Sequence, residues 1–98
     1  MDRIKFNQLA DDIANAYGTD RESLFERSKK QFDTQPRHLL WYVCSQKGIR
    51  NVFIEAFTSE NGLNVKHSTI TRGISRAEKI IKNNERVRKL SETLIKSK

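Results

Sequence analysis

Apolar residues recur at helical spacing along almost the whole chain, and this periodicity constrains the fold more than any other feature. The clearest case is the row formed by Ile70, Ile74, Ala77 and Ile81. Successive members are four, three and four residues apart, so all four side chains lie on one side of a helix. One proline and four glycines leave little room for strands or long linkers. The pattern predicts an all-α fold, a compact bundle of five to six helices.

Turn and capping signals divide the first third of the chain. The first apolar stripe ends at Gly18, a residue type that often terminates helices. Thr19 and Glu22 form a capping-box pattern, which predicts a short second helix over about 20–27. Residues 28–34 are polar and basic, and we expect them to form a loop.

The third helix is predicted to open at Thr34 or Gln35, with Pro36 in its first turn, where proline is tolerated. Gly48 is predicted to end it. A fourth helix is indicated by five apolar residues, Ile49, Val52, Phe53, Ala56 and Phe57. Residues 58–65 are then expected to connect this helix to the next one.

The apolar stripe of the fifth helix continues beyond Asn83-Asn84 with Val87, Leu90 and Leu94. The spacing alone fits two arrangements equally well. Residues 85–98 form either a sixth helix or an extension of the fifth.

Two aromatic residues and the single cysteine lie in the third helix. Trp41 and Tyr42 sit mid-helix, where core packing is the expected role; the alternative is a stacking platform for single-stranded nucleic acid. Cys44 cannot form an internal disulfide or a cysteine-based zinc site. We expect it to be a small buried residue.

Ninety-eight residues predict one domain, 1–98, and the charge on it is unevenly distributed. Residues 1–65 hold nine Lys/Arg and nine Asp/Glu, whereas residues 66–98 hold ten Lys/Arg and three Glu, an excess of 10 − 3 = +7. A surplus confined to one third of the chain indicates an anionic partner, and nucleic acid is the leading candidate. The chain starts with Met1 and has no apolar run of signal-peptide or membrane-span length, so we expect a cytoplasmic protein without a membrane partner.

The stretch from Lys66 to Arg72 combines short polar donors with cations at the start of the fifth helix. Side chains of this kind on a first helical turn suit contact with base edges and phosphates, and two helices joined by a turn predict a helix-turn-helix. The alternative is that Ser68 and Thr69 cap the helix while His67 is merely solvated. The candidate DNA-binding residues here are Lys66, His67, Ser68, Thr69, Thr71 and Arg72.

From about residue 14 to 81 the chain resembles the C-terminal DNA-binding domain of the bacterial replication initiator DnaA, which has a Trp-repressor-like helix-turn-helix. Four features carry the resemblance in the family's order. They are Tyr17 through Leu24-Phe25, Pro36-Arg37 leading into Leu39-Leu40-Trp41-Tyr42, Phe53-Ile54-Glu55-Ala56-Phe57, and His67-Ser68-Thr69-Ile70.

The resemblance implies sequence-specific binding of double-stranded DNA, association with the nucleoid, and regulation of replication initiation or transcription, alone or with a replication or regulatory protein. It places His67, Ser68 and Thr69 in the major groove. It also places Arg37 at the DNA and expects a basic loop with a minor-groove arginine before the central helix. In this chain that arginine position is Gln35, and the loop cations Arg27, Lys29 and Lys30 are the candidates that compensate.

Other departures from the family are equally informative. The family's signature begins with an acidic residue, and Lys66 stands there; lysine cannot accept a hydrogen bond from a cytosine amino group. The turn before the fifth helix is several residues longer than usual, and no nucleotide-hydrolysing domain precedes it, so we do not expect an initiator. The alternative function is a protein-interaction module that has kept the fold and lost specific DNA reading.

Catalysis is not expected. His38 and His67 have no carboxylate or cysteine partner at useful spacing, and Asp11-Asp12 is most simply a solvated face. No metal or nucleophile pattern is evident. The sequence therefore predicts no enzyme, no cofactor, no metal and no small-molecule substrate.

Overall fold

The computed structural model describes residues 2–26 and 31–96, and in those ranges the chain forms six α-helices. They are α1 (Asp2–Ala16), α2 (Arg21–Leu24), α3 (Gln31–Gln46), α4 (Asn51–Glu60), α5 (His67–Asn83) and α6 (Glu85–Lys96). The predicted all-α bundle is confirmed. α5 and α6 are separate helices, because the backbone of Asn84 is extended and its Oδ1 accepts a hydrogen bond from the Val87 N–H (3.2 Å).

Helix α3 lies at the centre and packs against each of the other five helices. Trp41 is 1% exposed, and its indole N–H donates to the hydroxyl of Thr58 on α4 (3.1 Å). This burial rules out Trp41 as a stacking platform; Tyr42 is half-buried at the edge of the core. Cys44 is buried as predicted, and burial raises the pKa of its thiol to about 12.

The second helix is shorter than predicted and has a different cap. Asp20, rather than Thr19, is the N-cap: its Oδ1 accepts hydrogen bonds from both the backbone N–H and the hydroxyl of Ser23. The bond from the Ser23 N–H (3.0 Å) satisfies a first-turn backbone donor, and the bond from the Ser23 hydroxyl (2.9 Å) adds a second contact to the same carboxylate. The helix then ends at Leu24 instead of residue 27.

The third helix begins earlier than predicted. It starts at Gln31, so the expected loop over 28–34 is wrong for residues 31–34, and Pro36 lies inside the helix instead of in its first turn. Proline at the sixth helical position removes one early intrahelical hydrogen bond. A helix that starts at Gln31 therefore lacks the backbone hydrogen bond that residue 36 would donate. The predicted end of the helix is confirmed, since Gly48, just beyond Gln46, has a φ of +90°.

The fourth helix exposes three of the apolar residues that indicated it: Val52, Phe53 and Ala56. Its buried residues are Ile54, Phe57 and Thr58, whereas Val52 is 58% and Phe53 45% exposed. The helix also runs on to Glu60, which shortens the connection to α5 to residues 61–66.

Candidate nucleic-acid interface

Helix α5 begins without a side-chain cap. Lys66 is the N-cap residue, with the extended backbone typical of that position (φ −84°, ψ 157°), and its side chain makes no capping hydrogen bond. Ser68 and Thr69 are the second and third helical residues, so the structure decides against the alternative in which they cap the helix. The Thr69 N–H donates to the Lys66 carbonyl oxygen (2.9 Å), and an N-terminus without a side-chain cap favours an anion.

The two sides of α5 differ sharply in character. Ile70, Gly73 and Ala77 are buried against the bundle. The opposite side carries exposed polar and cationic residues through two and a half turns: Lys66, His67, Ser68, Thr69, Thr71, Arg72, Ser75 and Arg76. All six candidate residues predicted in this stretch are thus exposed, together with Ser75 and Arg76. We call these eight residues the α5 outer face.

Part of the α5 outer face is concave. His67, Ser68, Thr71, Arg72 and Ser75 line a shallow open depression along the helix. The Thr71 hydroxyl donates to the His67 carbonyl oxygen (3.2 Å), which fixes its orientation and leaves its oxygen free to accept a further bond. The depression therefore offers imidazole, hydroxyl and guanidinium groups side by side.

Helix α5 is held against α3 by an unusually close approach at Gly73. A Cβ built on Gly73 would lie 2.6 Å from Trp41 Cε3 and 2.8 Å from His38 Cδ2. Because Trp41 is itself tied to Thr58, the surface that supports α5 is rigid. The position of the α5 outer face therefore follows from packing in the core and not from loop conformation.

The cations of α5 make no ion pairs within the part of the chain that the structure describes. In residues 2–26 and 31–96 the ion pairs join Arg3 to Glu60, Arg21 to Asp11, and both Arg88 and Lys89 to Glu85. None involves α5, whose exposed cations are Arg72, Arg76, Lys79 and Lys82. Their charge is thus available to an anionic ligand.

Two other predicted site residues lie elsewhere. Arg37 is only 8% exposed, and its Nη1 donates to the carbonyl oxygens of Leu24 and Glu26 (2.9 Å each). The Gln35 side chain is part-buried and donates to the Tyr17 hydroxyl (2.9 Å). Both side chains thus brace the segment around α2, and the structure does not bring them to the α5 outer face.

The cations of the predicted basic loop fall in the gap between the two described ranges. Arg27, Lys29 and Lys30 lie outside the described residues. What the structure does describe is the chain entering that segment: Arg37 holds the carbonyl of Glu26, the residue just before it.

The histidine of α3, His38, lies behind α5 and not at the surface. His38 is 8% exposed, its ring is 5.6 Å from that of Trp41, and burial lowers its pKa to about 4, with the positive charges of Arg37 and Arg76 acting in the same direction. Helical periodicity did not predict that the His38 side chain would be buried. Gly73 did have a signal: it falls three residues after Ile70, on the inward stripe, where a glycine marks close packing.

Lowering the pH should therefore destabilise the fold through His38. Between the ordinary pKa of 6.5 and about 4, the unfolded chain binds a proton at this residue that the folded chain does not. The free energy of unfolding then falls as the pH drops through that window, by up to about 3 kcal/mol. Urea unfolding at several pH values measures this effect: the wild type should lose more unfolding free energy at low pH than the His38→Gln variant does. Parallel pH profiles would contradict it.

None of the described helices combines the length and the apolar composition that a membrane-spanning helix requires.

Comparison with known protein families, with curated proteins and with solved structures finds no match to this chain. The resemblance to the DnaA domain consequently rests on the sequence motifs alone.

Proposed function

We propose that this chain binds double-stranded DNA sequence-specifically, with α4 and α5 as a helix-turn-helix and α5 as the recognition helix. The observation that carries the proposal is the α5 outer face. Its eight exposed polar or cationic residues begin at the helix N-terminus, on a helix whose other side is fixed to the core. An α-helix of this kind fits the major groove, where each base pair presents a distinct pattern of donors and acceptors.

In this proposal, phosphate contacts and base contacts come from different residues. Arg72 and Arg76 supply charge to the backbone, so that affinity falls steeply with salt. His67, Ser68 and Thr69 supply hydrogen bonds and a methyl group to base edges. The charge excess of residues 66–98 supports this division, because it includes Arg72 and Arg76 on the same helix as the polar first turn.

Selection from a pool of random duplexes at two salt concentrations tests the proposal. We expect one short sequence to be enriched, with an affinity that falls linearly with salt on logarithmic axes. A pool that yields no enriched sequence, bound with no salt dependence, would contradict DNA binding.

A pair of double variants locates the interface. Thr69→Ala with Arg72→Ala should weaken binding to the selected duplex by about 2–3 kcal/mol, since a base contact and a charged contact are lost together. Arg88→Ala with Thr93→Ala is the matched control: it removes the same groups from exposed positions on α6. Titration by fluorescence anisotropy should separate the two; equal losses would place the interface elsewhere.

The alternative function is a protein-interaction module that has lost DNA reading. It is favoured by one observation, the engagement of Gln35 with Tyr17, which leaves no base-reading group at the family's arginine position. Such a module would show no enriched duplex, and its partner binding would survive the Thr69→Ala, Arg72→Ala change.

A DNA-binding unit of this kind would regulate replication initiation or transcription, in association with the nucleoid. The motifs shared with the DnaA domain support that role. Lys66, however, implies a target sequence different from the family's own, because its ammonium group donates where a carboxylate accepts.

A further inference from the structure

The polar side of α5 is uncovered along the whole helix, well beyond the residues assigned to base reading. The exposed positions continue past Arg76 with Lys79, Lys82 and Asn83, the last residue of the helix. At about 1.5 Å per residue, the 17 residues of α5 span roughly 25 Å. Because these positions are exposed in the folded chain, a partner has access to the full length of α5.

The exposed cations of α5 form a row along this side, and they are Arg72, Arg76, Lys79 and Lys82. Successive members are four, three and three residues apart, spacings that make residues neighbours on a helix surface. The row begins after the polar first turn and extends about 15 Å toward the end of the helix. The single acidic residue of α5, Glu78, lies roughly 100° around the helix from Lys79. We call these four cations the α5 cation row.

The charge of the α5 cation row is not compensated by the ion pairs of the described structure. On α6, Arg88 and Lys89 lie 4.0 and 3.4 Å from the carboxylate of Glu85. The ion pairs found in residues 2–26 and 31–96 include no member of the row. Like charges at these spacings destabilise a helix, so a ligand with several negative charges stabilises this surface.

The length of the α5 cation row distinguishes two ways for the helix to enter a major groove. The groove is about 12 Å wide and 8.5 Å deep. If α5 entered end-on, with its first turn at the base edges, Lys79 and Lys82 would lie roughly 16–21 Å from those edges, beyond the flanking phosphates. If α5 lies lengthwise in the groove, the whole row stays within reach of the DNA backbone.

We infer that α5 lies lengthwise in the major groove and that Lys79 and Lys82 bind phosphates of the duplex whose bases the first turn reads. The lengthwise arrangement rests on the proposed function and adds to it two contacts and an orientation of the helix. It gives every member of the α5 cation row an anionic partner, whereas end-on entry leaves the last two without one. Phosphate contacts fix the register of a protein on DNA, so the row would hold the reading residues in place.

The dependence of affinity on salt counts these contacts. Lys79→Gln with Lys82→Gln removes two charges and keeps residues of similar helix propensity. Each phosphate contact contributes about 0.9 to the slope of log K against log salt, so the slope should become shallower by about 1.8. The affinity for the selected duplex should fall roughly 60-fold at ~0.1 M salt and hardly at all near ~1 M. Fluorescence anisotropy at several salt concentrations measures both quantities.

Neutral phosphates locate the contacts on the DNA. A methylphosphonate placed at one or two positions of the selected duplex should weaken the wild type but not the Lys79→Gln, Lys82→Gln variant, which has already lost that contact. For Arg72→Gln the insensitive positions should be different ones, because the row separates these residues along the helix. Coincident positions would contradict the lengthwise arrangement.

Lys5→Gln with Lys89→Gln is the matched control, since it removes the same two charges from exposed positions on α1 and α6. Its slope should change by less than ~0.5, and circular dichroism confirms that both double variants remain helical. A wild-type slope in the Lys79→Gln, Lys82→Gln variant, or an equal loss in the control, overturns the lengthwise arrangement and leaves end-on reading by α5 standing. A wild type that binds no duplex at any salt concentration overturns the proposed function as well.

Discussion

Replacing Gly73 with alanine is expected to destabilise the protein by about 2 kcal/mol, although alanine is the better helix former. The helix-propensity gain is about 1 kcal/mol. Against it stands a methyl group 2.6 and 2.7 Å from two ring atoms of Trp41, and 2.8 Å from His38. Overpacking a core commonly costs about 1–3 kcal/mol, and more where the neighbours cannot move. Trp41 is fully buried and hydrogen-bonded to Thr58, so α5 itself must shift away from α3.

Urea unfolding of Gly73→Ala measures this loss, with Ser75→Ala as the control for a small change on the exposed side of α5. The Gly73→Ala change should cost much less in a Trp41→Leu background, since the ring that it meets is gone; the coupling between the two sites is then large. DNA binding by Gly73→Ala should weaken as well, because the α5 outer face moves with the helix. An unchanged or raised stability would mean that α5 does not rest on the Trp41 ring.

Helix α5 was the part of the fold most accurately predicted from sequence. Ile70, Ile74 and Ala77 were expected to face inward; Ile70 and Ala77 are buried and Ile74 packs partly buried against the core. The stripe was readable because the rest of the helix is polar, which leaves one way to orient it. The exposure of His67 and Arg72 followed from the same reasoning.

Helix α4 shows why the same reasoning failed ten residues earlier. Apolar residues occur nearly all round it, so periodicity could not select between a face with Val52 and Phe53 and one with Ile54 and Phe57. Tertiary contacts determine which face of α4 is buried: the Trp41 N–H needs an acceptor, and the buried Thr58 hydroxyl supplies it. A buried threonine cannot be foreseen without knowing its partner.

Arg37 marks the limit of inference by resemblance. The family pattern located it at the DNA, yet its side chain is interior and holds carbonyls at the end of α2. Sequence specifies which residue stands at a position, but the burial of its side chain depends on how the neighbouring segment folds. The part of the candidate site that the sequence identified correctly as a surface is the one on a single amphipathic helix.

Lysine is an unfavourable residue type at a helix N-cap, the position that Lys66 occupies in α5. An N-cap residue normally accepts a hydrogen bond from a first-turn N–H, and a positive charge at a helix N-terminus is unfavourable. The Lys66 side chain makes no capping hydrogen bond and places a positive charge at the helix N-terminus, although its backbone has the N-cap conformation. Violations of this kind are expected at functional sites, where binding gains offset a stability loss. Lys66 therefore belongs to the proposed interface on physical grounds as well as by its place in the motif.

Lys66→Asp should change stability and DNA affinity in opposite directions. The aspartate can accept from the N–H groups of the first turn and suits the helix dipole, so unfolding should cost about 1 kcal/mol more. Binding to the duplex selected by the wild type should weaken by about 3 kcal/mol, because a carboxylate replaces an ammonium group next to phosphates and donors no longer face the base acceptors. Lys66→Ala separates the two effects: it removes the charge without adding a cap, so stability should stay nearly constant while affinity falls by about 1 kcal/mol.

Repeating the duplex selection with Lys66→Asp tests the reading role of this position directly. A carboxylate accepts from the cytosine amino group, whereas lysine donates to guanine O6 and N7, so the base preference at one position should change while the rest of the site is retained. If the variant selects the wild-type sequence with reduced affinity, Lys66 contacts phosphate only and the specificity lies in His67, Ser68 and Thr69. If it binds the wild-type duplex as tightly as before, the N-terminus of α5 does not face DNA, and the helix-turn-helix proposal fails at its central point.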